Sequence, residues 1–292
     1  MKIAFVGDVH GCVRHALGAA VLLQERRGIR LDAVIQVGDL GAYPSPERFD
    51  GASRRFARDN PAQDDFFRLL DPSPRFAEGV RGALGQVGPM LFVSGNHEDH
   101  DWLAGLHEAA GADVVPVDPG GACRHVACGS VLALAGQRVA FLGLIEVAGK
   151  MDLDERAYTR LMGLEPGDVD VLVTHDGPYG MSRDWRGNVQ GSAKLSRLIE
   201  HLQPWLHVSG HYHHVNGPRR YGRTTSYALH QLVRPKASRW DPASVNPEQR
   251  VTAGSVGLLD TDAGDFTYVH DDWLADVRGD ALDLAGLVAA TR

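Results

Sequence analysis

Ile3-Ala4-Phe5-Val6-Gly7-Asp8-Val9-His10-Gly11 opens the chain with an apolar run, a glycine, an acid and a histidine. The apolar run reads as a short buried strand, and the glycine lets the backbone turn sharply beyond it. The same grammar recurs along the sequence. Residues 33–37 run into Gly38-Asp39, residues 90–93 into Gly95-Asn96-His97-Glu98, and residues 171–173 into Thr174-His175-Asp176-Gly177-Pro178. A weaker run, 205–208, precedes Gly210-His211-Tyr212-His213-His214. Five strands thus each deliver Asp, Asn or His at a carboxyl end, the edge where open α/β sheets place their sites.

Those residue types select a chemistry. Carboxylate and amide oxygens with neutral imidazole nitrogens suit borderline divalent metals, and no cysteine joins any cluster. Asp8, His10, Asp39, Asn96, His97, His175, His211 and His213 are too many for one ion of about four to six ligands. They fit two ions sharing one carboxylate. Such a pair, about 3.5–4 Å apart, can clamp both oxygens of an in-line phosphoryl displacement. Turn and cap roles account for Asn, Asp and Gly in loops, but not for histidines recurring at strand ends.

The ordered set Asp8-x-His10, Gly38-Asp39, Gly95-Asn96-His97-Glu98, a lone His175 and Gly210-His211-x-His213 resembles the calcineurin-like metallophosphoesterases, over about residues 1–215. That family includes Ser/Thr protein phosphatases and many phosphodiesterases. The resemblance implies an α/β fold, a four-layer sandwich of two mixed β-sheets flanked by helices. It implies that Asp8, His10, Asp39 and His213 hold one metal, that Asp39, Asn96, His175 and His211 hold the other, and that Asp39 bridges. His97 matches the family's non-ligand histidine, which protonates the leaving oxygen or stabilises the transition state. The expected activity is hydrolysis of a phosphomonoester or phosphodiester, in a small molecule or nucleotide, by a metal-bridging hydroxide. The ions are two of Mn, Fe, Zn or Co, with Mn favoured. Three other readings are a Ser/Thr protein phosphatase, a nuclease similar to RNA-lariat debranching enzymes, and a non-catalytic scaffold. The filled ligand positions argue against the last.

The 292 residues are expected to form a single domain over 1–270, with a helical insertion at about 43–88 and a helical tail over 271–292. The net charge of −7 provides no general basic field, which counts against a nucleic-acid partner. Three cysteines, Cys12, Cys123 and Cys128, are an odd count that suits a reducing compartment. The first strand begins at once, which leaves no room for a signal peptide, and no apolar run approaches the ~20 residues of a membrane span. The expectation is a soluble, cytoplasmic protein.

Hydrophobic periodicity predicts helices over 12–27, 62–70, 100–110, 150–165, 193–202 (capped by Ser192) and 271–290, and hairpins at 131–142 and 255–269. The segment 43–88 holds seven Arg against seven Asp or Glu. It reads as a solvated helical insertion or as a lid. In the lid, Phe66, Phe67, Leu69 and Leu70 dock onto the body and the arginines of 47–58 face solvent or substrate. The loop 177–191 carries Tyr179, Arg183, Trp185 and Arg186, whose guanidinium forks suit phosphate. Glu98 and Asp176 read as supports for ligands rather than as ligands.

Overall fold

The computed structural model describes residues 1–58, 60–147, 152–183, 186–236 and 245–291; Trp185 and positions 150–151 of the helix expected over 150–165 lie outside them. In chain order the elements are β1 (Lys2–Val6), α1 (Val13–Arg26), β2 (Ala33–Gln36), α2 (Gly51–Ala57), α3 (Asp65–Leu70), α4 (Pro74–Val87), β3 (Met90–Phe92), α5 (His100–Ala110), β4 (Val114–Pro116), β5 (Cys123–Val126), β6 (Val131–Leu134) and β7 (Gln137–Leu142). There follow α6 (Glu155–Met162), β8 (Val171–Thr174), β9 (Ser182–Arg183), β10 (Val189–Gln190), α7 (Ala193–Leu202), β11 (Leu206–Ser209), β12 (Asn216–Tyr221), β13 (Thr224–Ala228), β14 (Val256–Asp260), β15 (Asp265–Tyr268) and α8 (Leu284–Ala290).

Two mixed sheets result. One runs β15-β14-β1-β2-β3-β5-β4 and the other β12-β13-β11-β8-β7-β6. Their centres are parallel (β1-β2-β3-β5 and β13-β11-β8-β7), and antiparallel strands close both edges. Parallel strands need crossovers, so their runs are apolar on both faces rather than alternating with polar residues.

The period-two geometry of a strand sorts those runs into layers. Ile3, Phe5, Ile35, Val37 and Val93 of the first sheet meet Val139, Phe141, Val171, Val173, Leu206 and Val208 of the second in a core between the sheets. The alternate residues Ala4, Val6 and Val34 face outward, onto Val13, Leu17, Val21, Val80 and Ala83 of α1 and α4. On the far side Ala140, Leu142 and Leu172 pack against Leu161, Leu195, Leu198 and Leu202 of α6 and α7. The order helix, sheet, sheet, helix is the four-layer sandwich expected from the resemblance.

Some elements are shorter than the periodicity predicts. The helix read over 150–165 starts at Glu155, because the Asp154 carboxylate accepts the N–H groups of Arg156 and Ala157 and so caps it. The tail read as one helix over 271–290 is a 3-10 turn, Asp272–Asp276, followed by α8. Gly279, at φ +90°, takes the chain out of helical space between them. The loop 177–191 contains the small ladder β9–β10. Within 43–88, α4 is the crossover that carries the chain from β2 to its parallel neighbour β3, and it packs against α1 and α8.

Arg14 of α1 ties this helical layer together. Its guanidinium donates to both Asp65 carboxylate oxygens, at 2.7 and 2.8 Å, and to the carbonyls of Leu282 and Asp280. Asp65 is fully buried, and burial pushes its carboxyl above the ordinary range even beside Arg14. Arg14→Leu leaves that acid only the 3.4 Å contact with half-exposed Arg68 and should cost roughly 3–5 kcal/mol in urea unfolding. A loss below about 1 kcal/mol, the level of an exposed pair, would contradict this account.

Candidate metal centre

All seven expected ligand residues, and His97, lie on turns just beyond β1, β2, β3, β8 and β11, at one edge of the two sheets. The backbone is bent to bring them together. His10, Asp39, His211 and His213 have φ of 45°, 57°, 68° and 55°, values uncommon outside glycine, and such strain concentrates at functional sites. Main-chain bonds fix the bends: the Asp39 carbonyl accepts the N–H groups of both Val9 and His10.

Asp8, His10, Asp39 and His213 each offer one donor atom within 4.8 Å of the others. His213 Nε2 lies 3.0 Å from Asp8 Oδ2 and 3.1 Å from His10 Nε2. A second group adjoins the first through Asp39. His175 Nε2 is 3.4 Å from Asp39 Oδ2 and 3.1 Å from Asn96 Oδ1. The His211 ring lies 5.1 Å from that of His175, and the His211 main-chain N–H donates to Asp8.

The donor set suits a cation. His175 Nδ1 donates to the Val37 carbonyl at 3.0 Å, so in the neutral ring Nε2 presents a lone pair to two oxygens that are themselves acceptors. Burial pulls the His175 pKa down, but Asp39, Asp8 and Glu98 outweigh it and lift it to about 10. Asp39 in turn, despite its burial, is held well below the usual carboxylate range by His175. The pocket therefore favours one positive charge beside Asp39. Burial depresses His10 and His211 to about 4, which keeps both rings neutral and their lone pairs free for ligation.

His97 is held differently. Its main-chain N–H donates to Asp39 Oδ1 at 2.8 Å, while its ring Nδ1 pairs with Asp50 Oδ2 at 2.8 Å. Burial lowers its pKa, but Asp50, Asp39 and Glu98 lift it to about 9. Asp50, read in the sequence only as one of the acids balancing the arginines of 43–88, caps α2 through the N–H groups of Ala52 and Ser53 and accepts the Tyr43 hydroxyl. Its signal in the sequence is only that of an ordinary helix cap.

Glu98 and Asp176 bond to backbone. Glu98 accepts the N–H groups of Gly41 and Gly95, and Asp176 those of Glu146 and Gly177. His214 turns away from the cluster, toward the Tyr212 carbonyl and Ser182. His207 is buried against Thr174 and Ser226. Gly95 explains the close approach of β3 to β2: a Cβ there would stand 2.1 Å from Asp39 Oδ1. Gly95→Ala should therefore displace that carboxylate and weaken Mn binding roughly 10–100-fold by calorimetric titration, the usual effect of disturbing a ligand's supports. Unchanged affinity would contradict the arrangement.

A sequence-family model described as calcineurin-like phosphoesterase matches residues 1–215. A UPF0046 protein of Caenorhabditis elegans is 35% identical over 60 residues, 20% of this chain and 21% of that protein, so the match spans about a fifth of the relative's length. One solved structure overlays with a TM-score of 0.54 at 16% identity, covering 92% of this chain and 98% of its own. Another, described as a novel phosphatase of Mycoplasma pneumoniae, overlays with a TM-score of 0.43 at 12% identity, covering 94% and 96%. At such identities the structural likeness concerns the fold alone. Among the described residues no helix is long and apolar enough to cross a membrane.

Proposed function

This chain belongs to the calcineurin-like phosphoesterases, and from that premise we propose that it hydrolyses a phosphoester of a small molecule or nucleotide with the help of two divalent ions sharing Asp39. The observation that supports this best is that Asp39 stands between two donor groups, with Oδ2 3.9 Å from His10 Nε2 and 3.4 Å from His175 Nε2. Asp8, His10, Asp39 and His213 would hold one ion, and Asp39, Asn96, His175 and His211 would hold the other. When bound, such ions supply Lewis-acid charge at phosphoryl oxygens and acidify an attacking water. Mn is favoured, and the mixed oxygen and nitrogen donors also accept Fe, Zn or Co.

The chain's own residues do the rest. His97 uses Nδ1 on Asp50, so its second ring nitrogen is the proton donor left for the departing oxygen. Asp50 keeps that imidazole charged and oriented, which makes it a positioning residue. Residues 1–270 act in this reading as one catalytic domain, with 271–292 as its tail.

The test is hydrolysis of paired mono- and bis-aryl phosphates by enzyme stripped with chelator and reloaded with Mn. Turnover that vanishes on stripping and returns on reloading is expected, and the preferred ester identifies the class. Turnover indifferent to chelation would overturn the proposal.

A further inference from the structure

A cleft enclosing about 660 Å³ of empty space, its open mouth included, lies against the candidate centre. His10, His97 and His213 form its floor, and Tyr43, Phe49 and Phe56 form an aromatic wall. Ser53, Gln63 and Gln231 add neutral polar groups, and no charged Asp, Glu, Lys or Arg side chain is among the described lining residues.

The aromatic wall is preformed. Tyr43 is 1% exposed, and its hydroxyl is fixed by Asp50 and Ser53. Phe49 stacks edge-on against Tyr43, with ring centres 4.9 Å apart, and packs on Phe67 at 5.2 Å. Phe56 is different: it stands at the rim, 45% exposed, with the Arg55 guanidinium on its ring. Two of the segment's four arginines are committed elsewhere. Arg48 pairs with Asp99, and Arg54 donates to the Glu47 and Phe49 carbonyls. The segment thus lines the cleft itself with rings and neutral polar groups, while its Asp50 reaches the site only through His97.

From this we infer that residues 43–63 are the specificity element of the enzyme, and that their cleft receives a flat, uncharged aromatic or heteroaromatic ring on the leaving-group side of the phosphoester. Away from His97, a charged group would lose its hydration against the Tyr43, Phe49 and Phe56 rings and find no Asp, Glu, Lys or Arg side chain among the described lining residues. A ring stacks on Phe56 and Phe49, and its polar edge meets the amides of Gln63 and Gln231 and the Ser53 hydroxyl. The leaving-group side follows from the floor: His97, which protonates the departing oxygen, faces the same cleft, and Asp50 of the same segment holds its ring. The inference rests on the phosphoesterase reading above.

The experiment compares Mn-loaded wild type, Phe56→Ala and Phe56→Trp on aryl and alkyl phosphoesters matched in leaving-group acidity. Phe56 is 45% exposed at the rim, so its truncation spares the fold. Stacking of one ring supports a fall in the aryl-over-alkyl preference of roughly 5–100-fold for Phe56→Ala, expressed mainly in KM, with recovery in Phe56→Trp. Aryl and alkyl esters weakened equally by Phe56→Ala would overturn this inference and leave the phosphoesterase reading standing. Failure of the Mn-loaded wild type to hydrolyse either ester would overturn both.

Discussion

Asp39→Ala leaves a folded protein that binds neither ion at wild-type affinity and hydrolyses phosphoesters at least roughly 10³-fold more slowly, because the charge stabilisation lost is worth several kcal/mol. The size of the effect follows from position. Asp39 is fully buried, its Oδ2 faces His10 and His175, and its Oδ1 receives the His97 N–H. Removing it therefore subtracts a ligand from both donor groups at once. His213→Ala touches only the group containing Asp8 and His10 and should weaken one site far more than the other. Elemental analysis after gel filtration separates the two patterns. Two tightly held ions in Asp39→Ala would remove Asp39 from its bridging role.

His97→Ala is expected to do the reverse, keeping both ions while kcat falls roughly 10²–10⁴-fold, the range of a lost proton donor. The ring of His97 points to Asp50 rather than into either donor group, and its centre is 5.6 Å from that of His10. Asp50→Asn should lower kcat less, since it leaves the imidazole in place but weakens the charge that keeps it protonated. Loss of metal from His97→Ala, with unaltered kcat once metal is restored in excess, would make His97 a ligand and not an acid.

The five strands that carry the centre were legible in the sequence because parallel strands buried on both faces are continuous apolar runs, each ending in a residue type that strands otherwise avoid. The residues beyond those strands were legible for the same reason: His and Asp at a strand's carboxyl end stand out against Val, Ile and Leu. Strand order was not legible. Nothing local in residues 256–260 reveals that β14 pairs antiparallel with β1, at the opposite end of the chain. The segment 43–88 was read either as a solvated helical insertion or as a lid, and its sequence did not separate the two. The arginines of 47–58 were expected to face solvent or substrate; backbone carbonyls and Asp99 occupy two of them, and Phe49 and Phe56 line the cleft. Asp50 was invisible because a capping aspartate and an aspartate that orients a histidine are the same residue type. Phe66 and Leu69 do dock the segment, buried against the helical layer beside Trp102.

The central claim is that one carboxylate joins two metal sites, and metal stoichiometry tests it most directly. Wild-type protein stripped with chelator and titrated calorimetrically with Mn should take up two ions per chain, with phosphoesterase turnover rising only as the second site fills. Full turnover reached at one ion per chain would contradict it.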